Sequence, residues 1–129
     1  MSSQNTAEFG DPLAGLRLLL VEDEALVAME LEELIRSLGA ETVGPFARVA
    51  DALDALTREQ VHGGVLDVRL DGETTFAIAD VLLRAASPIV FVTGAVGSIP
   101  ERYRQVPRLQ KPFDYAEFAR LAESVFRGR

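Results

Sequence analysis

This sequence predicts an α/β fold: a parallel sheet with helices on both faces. Two observations carry that prediction. Short apolar runs of strand length, at residues 16–21, 63–68 and 89–92, alternate with amphipathic segments of helix length. The runs are nearly continuous rather than alternating, which is how strands covered on both faces read. A chain of 129 residues is enough for one such domain with one core.

The elements follow in order. Residues 16–21 form the first strand, and Glu22-Asp23-Glu24 comes directly after it. Val27, Leu31, Leu34, Ile35 and Leu38 then recur at steps of three and four, and Gly39 stops that helix. Residues 42–46 make a weaker strand, because Gly44 and Pro45 interrupt it. Val49, Leu53 and Leu56 mark a second helix, and the third strand runs from Gly63 into Asp67. Leu70-Asp71-Gly72-Glu73 is a turn; Phe76, Ala79 and Leu83 mark a third helix that ends at Ser87-Pro88. The fourth strand closes at Thr93-Gly94. Between Ala95 and Gln105 the periodicity is weak, so the fourth helix is short or irregular. Residues 106–110 are a poor strand, and Phe118, Leu121, Ala122 and Val125 define the last helix. Residues 1–14, broken by Gly10 and Pro12, predict a flexible N-terminal arm, leaving 15–129 as the domain.

Composition narrows the function classes. Acidic residues outnumber basic ones by 20 to 13, for a net charge of −7, which disfavours a phosphate-backbone partner and predicts no nucleic-acid binding. The absence of cysteine excludes thiol catalysis and thiolate-held zinc, and is compatible with the cytoplasm. No apolar run reaches membrane-spanning length, and nothing at the start reads as a signal peptide, so no membrane partner is expected.

Sites in open parallel sheets lie beyond the carboxyl ends of the strands. Glu22 and Asp23 fall at the end of the first strand, Asp67 of the third, Thr93 of the fourth and Lys111 of the fifth. Clustered carboxylates repel one another unless a cation lies between them. Mg²⁺ (or Mn²⁺) suits such a set, because it takes oxygen ligands and needs few carboxylates. A carboxylate can act as nucleophile and become an acyl phosphate. Lys111 can neutralise phosphoryl oxygens, and the Thr93 hydroxyl can donate to one. Each residue has an ordinary alternative: acidic first turn of a helix for 22–24, strand residue for Thr93, solvated side chain for Lys111. Their joint placement favours the chemistry. His62, before the third strand, belongs to the opposite edge and reads as a surface loop residue.

Four segments carry a family resemblance: Leu-Leu-Val-Glu22-Asp23-Glu, Gly-Gly-Val-Leu-Asp67-Val-Arg-Leu, Pro-Ile-Val-Phe-Val-Thr93-Gly and Gln-Lys111-Pro-Phe. From about residue 15 to 126 the chain resembles a response-regulator receiver domain of the CheY-like superfamily. The resemblance implies a doubly wound, five-stranded parallel sheet of order 2-1-3-4-5. It implies Asp67 as phosphoacceptor, Lys111 and Thr93 as phosphate contacts, and Glu22, Asp23, Asp67 and the Arg69 backbone carbonyl around the metal. Lys111-Pro112 is cis in the family, whereas trans is the usual state of any one X–Pro bond. The Arg69 side chain either tunes phosphoryl lifetime or is simply solvated. Asp67-Val-Arg-Leu-Asp-Gly-Glu and Phe91-Val-Thr-Gly are similar to the FAT GUY sub-branch, although Phe-Val-Thr replaces Phe-Ala-Thr and Ala95 follows where a tyrosine is expected. Arg108 stands where receivers usually carry an aromatic, and the segment from Thr93 to Lys111 is short. These departures place the expected read-out in a flexible loop at 94–100.

The implied function is a stand-alone, cytoplasmic response regulator of a two-component phosphorelay. It would take a phosphoryl group from a histidine kinase or histidine phosphotransfer protein. With no effector following the last helix, it would signal by contact with a downstream protein or act as a phosphate sink or relay. It would not be an enzyme beyond its own phosphorylation and dephosphorylation. A phosphatase of the haloacid-dehalogenase kind combines similar residues, but there the nucleophile leads and the acidic pair comes late. A pseudo-receiver that only binds partners would not need the full set. Ala25, Leu26, Met29, Pro112 and Phe113 border the site; core packing is the ordinary use of such residues, and any left exposed would dock the phosphodonor.

Overall fold

The computed structural model describes residues 11–127. Five strands, β1 (Arg17–Val21), β2 (Glu41–Phe46), β3 (Gly63–Asp67), β4 (Ile89–Thr93) and β5 (Arg108–Gln110), form one sheet. All pair in parallel, in the order β2-β1-β3-β4-β5. The helices are α1 (Ala25–Ser37), α2 (Val49–Leu56), α3 (Phe76–Arg84) and α4 (Tyr115–Phe126). The sheet order and the doubly wound arrangement match the expectation.

Strand residues alternate between the two faces, as the two-residue period of a strand requires. Leu18, Leu20, Val65, Val90 and Val92 join Leu31 and Ile35 of α1 and Phe118 and Ala122 of α4 on one face. Leu19, Val21, Leu66, Ile89 and Phe91 join Ala52 of α2 and Ile78 and Leu82 of α3 on the other. This double burial explains why the runs read as continuously apolar. Gly63 and Gly64 allow β3 to lie tight under its cover: a Cβ on Gly63 would come within 2.7 Å of the Phe126 ring, and one on Gly64 within 2.7 Å of Leu82. Gly39 ends α1 as predicted. Its N–H donates to Arg36 O (2.9 Å) and that of Ala40 to Ile35 O (3.3 Å), the paired bonds of a Schellman ending, with Gly39 at φ +98°.

Two regions depart from expectation. The arm was predicted to be loose through residue 14, but Leu13 is fully buried in the core, and its N–H donates to Leu38 O at 2.8 Å. Arg127 holds the same stretch, donating to Pro12 O at 2.8 Å and to Ala14 O. A single leucine has no periodicity by which sequence could assign it to the core. Residues 1–10 of the arm lie outside the described residues. Second, the loop expected to be flexible at 94–100 is anchored, while a regular α-helix between β4 and β5 is absent among the described residues, as expected. Two 3₁₀ turns, Val96–Ser98 and Glu101–Tyr103, take its place. Ser98 N–H and hydroxyl donate to Ala95 O at 3.0 and 2.7 Å, and Ile99 and Tyr103 are buried.

Candidate phosphoacceptor and metal site

β1, β3, β4 and β5 bring their end residues to one edge of the sheet. Glu22 is almost fully buried, with 2% of its surface exposed, and Asp67 retains 8%. Carboxylate oxygens of Glu22, Asp23 and Asp67 lie within 4.8 Å of one another. Lys111 Nζ stands among them, 3.1 Å from Glu22 Oε1, 3.3 Å from Glu24 Oε1 and 3.5 Å from Asp67 Oδ2. Glu22 Oε2 accepts the Glu24 N–H at 3.1 Å. Glu22 Oε1 is within ion-pair distance of Lys111, yet no donor is aimed at it with hydrogen-bond geometry.

The electrostatics follow from this crowding. Burial, then the neighbouring Asp67 charge, push the Glu22 carboxyl from 4.5 up to about 7. For Lys111, burial works against the ammonium, but Glu22, Asp67 and Glu24 outweigh it and hold its pKa above the ordinary value. Two buried carboxylates and a third beside them, one oxygen with no aimed donor, and only oxygen ligands are a donor set that fits a hard divalent cation.

Thr93 is buried at the end of β4, and its Oγ1 accepts the Ala95 N–H at 3.0 Å. The Arg69 N–H points back toward Asp67 Oδ1 at 3.4 Å, a long contact, and the Arg69 side chain is exposed. The Lys111-Pro112 bond is cis. His62 lies at the far edge, where its Nδ1 accepts the Arg17 N–H at 2.9 Å. Ordinary core packing was the default for the apolar residues around the site, but Leu26 and Met29 are 79% and 63% exposed.

Sequence reading missed two features. Thr75 is completely buried and its hydroxyl donates to the backbone carbonyl of Asp67 at 2.6 Å. A threonine ahead of a helix ordinarily signals a cap, and that reading hides its partner. The second is Tyr103. Ala95 stands where a tyrosine is expected after Gly94, yet Tyr103 stacks on Phe76 (centroids 5.1 Å) and meets Phe91 edge-on (5.6 Å). Its hydroxyl donates to Asp80 at 2.5 Å; burial, with Asp80 adding to it, raises the phenol to about 12. Arg108, at the usual aromatic position, does not reach the site. Its guanidinium donates to Tyr103 O at 2.6 Å and Val106 O at 2.9 Å.

Known proteins share this fold. No protein-family model matches the chain. The phyllosphere-induced regulator PhyR of Methylorubrum extorquens is 30% identical over 119 residues, covering 84% of this chain and 43% of PhyR. The transcriptional regulatory protein PdtaR of Mycobacterium tuberculosis is 30% identical over 122 residues, covering 86% of this chain and 58% of PdtaR. The chain therefore spans between two fifths and three fifths of these two relatives. The solution structure of SdrG from Sphingomonas melonis Fr1 superposes with a TM-score of 0.75 at 38% identity, over 84% of this chain and 94% of SdrG. The five-stranded parallel fold, together with this likeness, places the chain among two-component signalling domains. The chain belongs to the response-regulator receiver family, and its likeness to SdrG and PhyR fits the FAT GUY sub-branch. Among the described residues, no helix is long and apolar enough to cross a membrane.

Proposed function

We propose that this domain accepts a phosphoryl group on Asp67 from a phosphohistidine of a histidine kinase or phosphotransfer protein. The observation that carries the reading is Lys111 Nζ lying between Glu22 and Asp67 at 3.1 and 3.5 Å, beside three convergent carboxylates. In the transfer an Asp67 carboxylate oxygen attacks phosphorus, the P–N bond breaks, and the imidazole nitrogen leaves and takes up a proton. Lys111 offsets charge on the transferred oxygens, and the Thr93 hydroxyl turns from its present contact to donate to one of them. Glu22, Asp23, Asp67 and the Arg69 carbonyl would hold Mg²⁺, which supplies charge neutralisation at the phosphoryl group.

The exposed Leu26 and Met29 on α1 flank this edge and suit the apolar surface of a phosphodonor helix pair. Output then depends on protein contact or on sink or relay behaviour, in the cytoplasm, with no turnover of an external substrate. The segment at 94–107 is the candidate read-out, since Ala95 already contacts Thr93.

The test is Mg²⁺-dependent labelling by acetyl phosphate and by a phosphorylated kinase. Wild-type labelling that Asp67→Asn abolishes is the expected result; full labelling of Asp67→Asn would refute the assignment. Hydrolysis of a small phosphate ester with multiple turnovers would favour a phosphatase instead.

A further inference from the structure

We infer that Thr75 is the positioning residue of the acceptor, holding Asp67 by its backbone and so aiming its carboxylate. The inference rests on the proposed role of Asp67. The carboxylate is only loosely restrained by its own contacts: Arg69 N–H at 3.4 Å and Lys111 Nζ at 3.5 Å are both long. Its aim is therefore set by the backbone that carries it. That backbone sits where the sheet gives out. β3 ends at Asp67, and the next link to β4 is Val68 N–H to Val92 O at 3.3 Å.

Beyond Val68 the chain makes a hairpin with only two residues per strand, Arg69–Leu70 against Glu73–Thr74. Asp71 and Gly72, both at positive φ, form its turn. A ribbon this short does not hold itself. Thr75 closes its base. Its hydroxyl donates to Asp67 O at 2.6 Å and its N–H to Val68 O at 3.0 Å, and none of the residue is exposed to water. At the head of α3 the threonine oxygen would ordinarily accept helix N–H groups; here it makes no such bond. The hydroxyl is committed to the acceptor strand instead. Releasing it lets residues 67 and 68 shift, and a misplacement of roughly 1 Å in a reacting group can lower a rate about a hundredfold.

Thr75→Val keeps the shape and removes the donor; Thr75→Ser keeps the donor. Two readouts are followed: Mg²⁺ affinity by titration calorimetry, and the acetyl phosphate phosphorylation rate at saturating and limiting donor. Ile35→Val, in the core on the opposite face, controls for lost stability. Thr75→Val is expected to lower the saturating rate about tenfold or more and to weaken Mg²⁺ binding several-fold. Thr75→Ser is expected to restore both, and Ile35→Val to move neither. If Thr75→Val does not fold, Thr75→Cys, a far weaker donor, is read in its place. Wild-type rate and Mg²⁺ affinity in the valine or cysteine variant would overturn the inference, as would failure of serine to rescue. If the wild type binds Mg²⁺ but is never labelled, the acceptor role falls, and the Mg²⁺ affinities of the same variants still decide whether Thr75 positions Asp67.

Discussion

Lys111 lies closer to Glu22 than to Asp67: its Nζ is 3.1 Å from Glu22 Oε1 and 3.5 Å from Asp67 Oδ2. The lysine is thus anchored by a buried acid, with the acceptor at the outer margin of its reach. This arrangement keeps Glu22 paired but does not make it comfortable. Its carboxyl still sits at about 7, because burial and Asp67 outweigh the lysine.

A pH prediction follows from that. An acid whose folded pKa is raised binds its proton more tightly in the folded state. Its contribution is complete below the unfolded value near 4.5 and is lost as pH rises through about 7. Metal-free protein should lose about 2–3 kcal/mol of stability from this group across that window, solvent screening reducing the full value of the shift. Thermal melts from pH 4.5 to 8 with chelator should show the fall; Glu22→Gln should flatten it, and Mg²⁺, which favours the ionised acid, should offset it. An unchanged slope in Glu22→Gln would count against the assignment.

Asp67→Asn removes one carboxylate from a cluster whose acidic oxygens lie within 4.8 Å. Repulsion falls more than the weak Lys111 contact is missed, so the metal-free variant should be stabilised by about 1 kcal/mol. Melting in chelator, and again with Mg²⁺, checks both halves: the variant should melt higher than wild type without metal and should gain less from Mg²⁺.

Tyr103 predicts a graded response. Tyr103→Phe keeps the stack on Phe76 and Phe91 but leaves Asp80 without the phenol, at a cost of about 1 kcal/mol. Tyr103→Ala also empties the buried ring site and should cost about 3–5 kcal/mol. Denaturant melts measure both. Equal losses would mean that the hydroxyl, not the ring, holds this segment.

The parallel sheet and the placement of Glu22, Asp23, Asp67, Thr93 and Lys111 were legible because they depend on local signals, whereas the strand order came only from the resemblance to receiver domains. Strand-length apolar runs and the polar residues ending them are consecutive in sequence. What was not legible depends on distant pairing. Leu13 enters the core through a bond to Leu38, Thr75 turns from its helix to Asp67, and Tyr103 finds Asp80 twenty-three residues earlier. None has a periodicity or motif of its own. The exposure of Leu26 and Met29 was open for the same reason: apolar spacing on α1 does not say which residues at its first turns the neighbouring elements leave uncovered.

Arg108 gives the last prediction. Its guanidinium donates to the carbonyls of Tyr103 and Val106, closing the segment that replaces a fourth crossover helix. A planar fork reaches two carbonyls at once; a lysine ammonium has the charge without that geometry. Arg108→Ala should therefore cost about 2 kcal/mol, and Arg108→Lys should recover only part of it. The loss should be local. Hydrogen exchange in residues 94–107 should quicken while β1 and β3 remain protected, and Mg²⁺ affinity should stay at the wild-type value because Arg108 touches none of the carboxylates. If this segment reads out Asp67, beryllofluoride should alter its protection in the wild type and alter it less in Arg108→Ala, where the clamp is already open. An identical response in both proteins would place the read-out elsewhere on the domain.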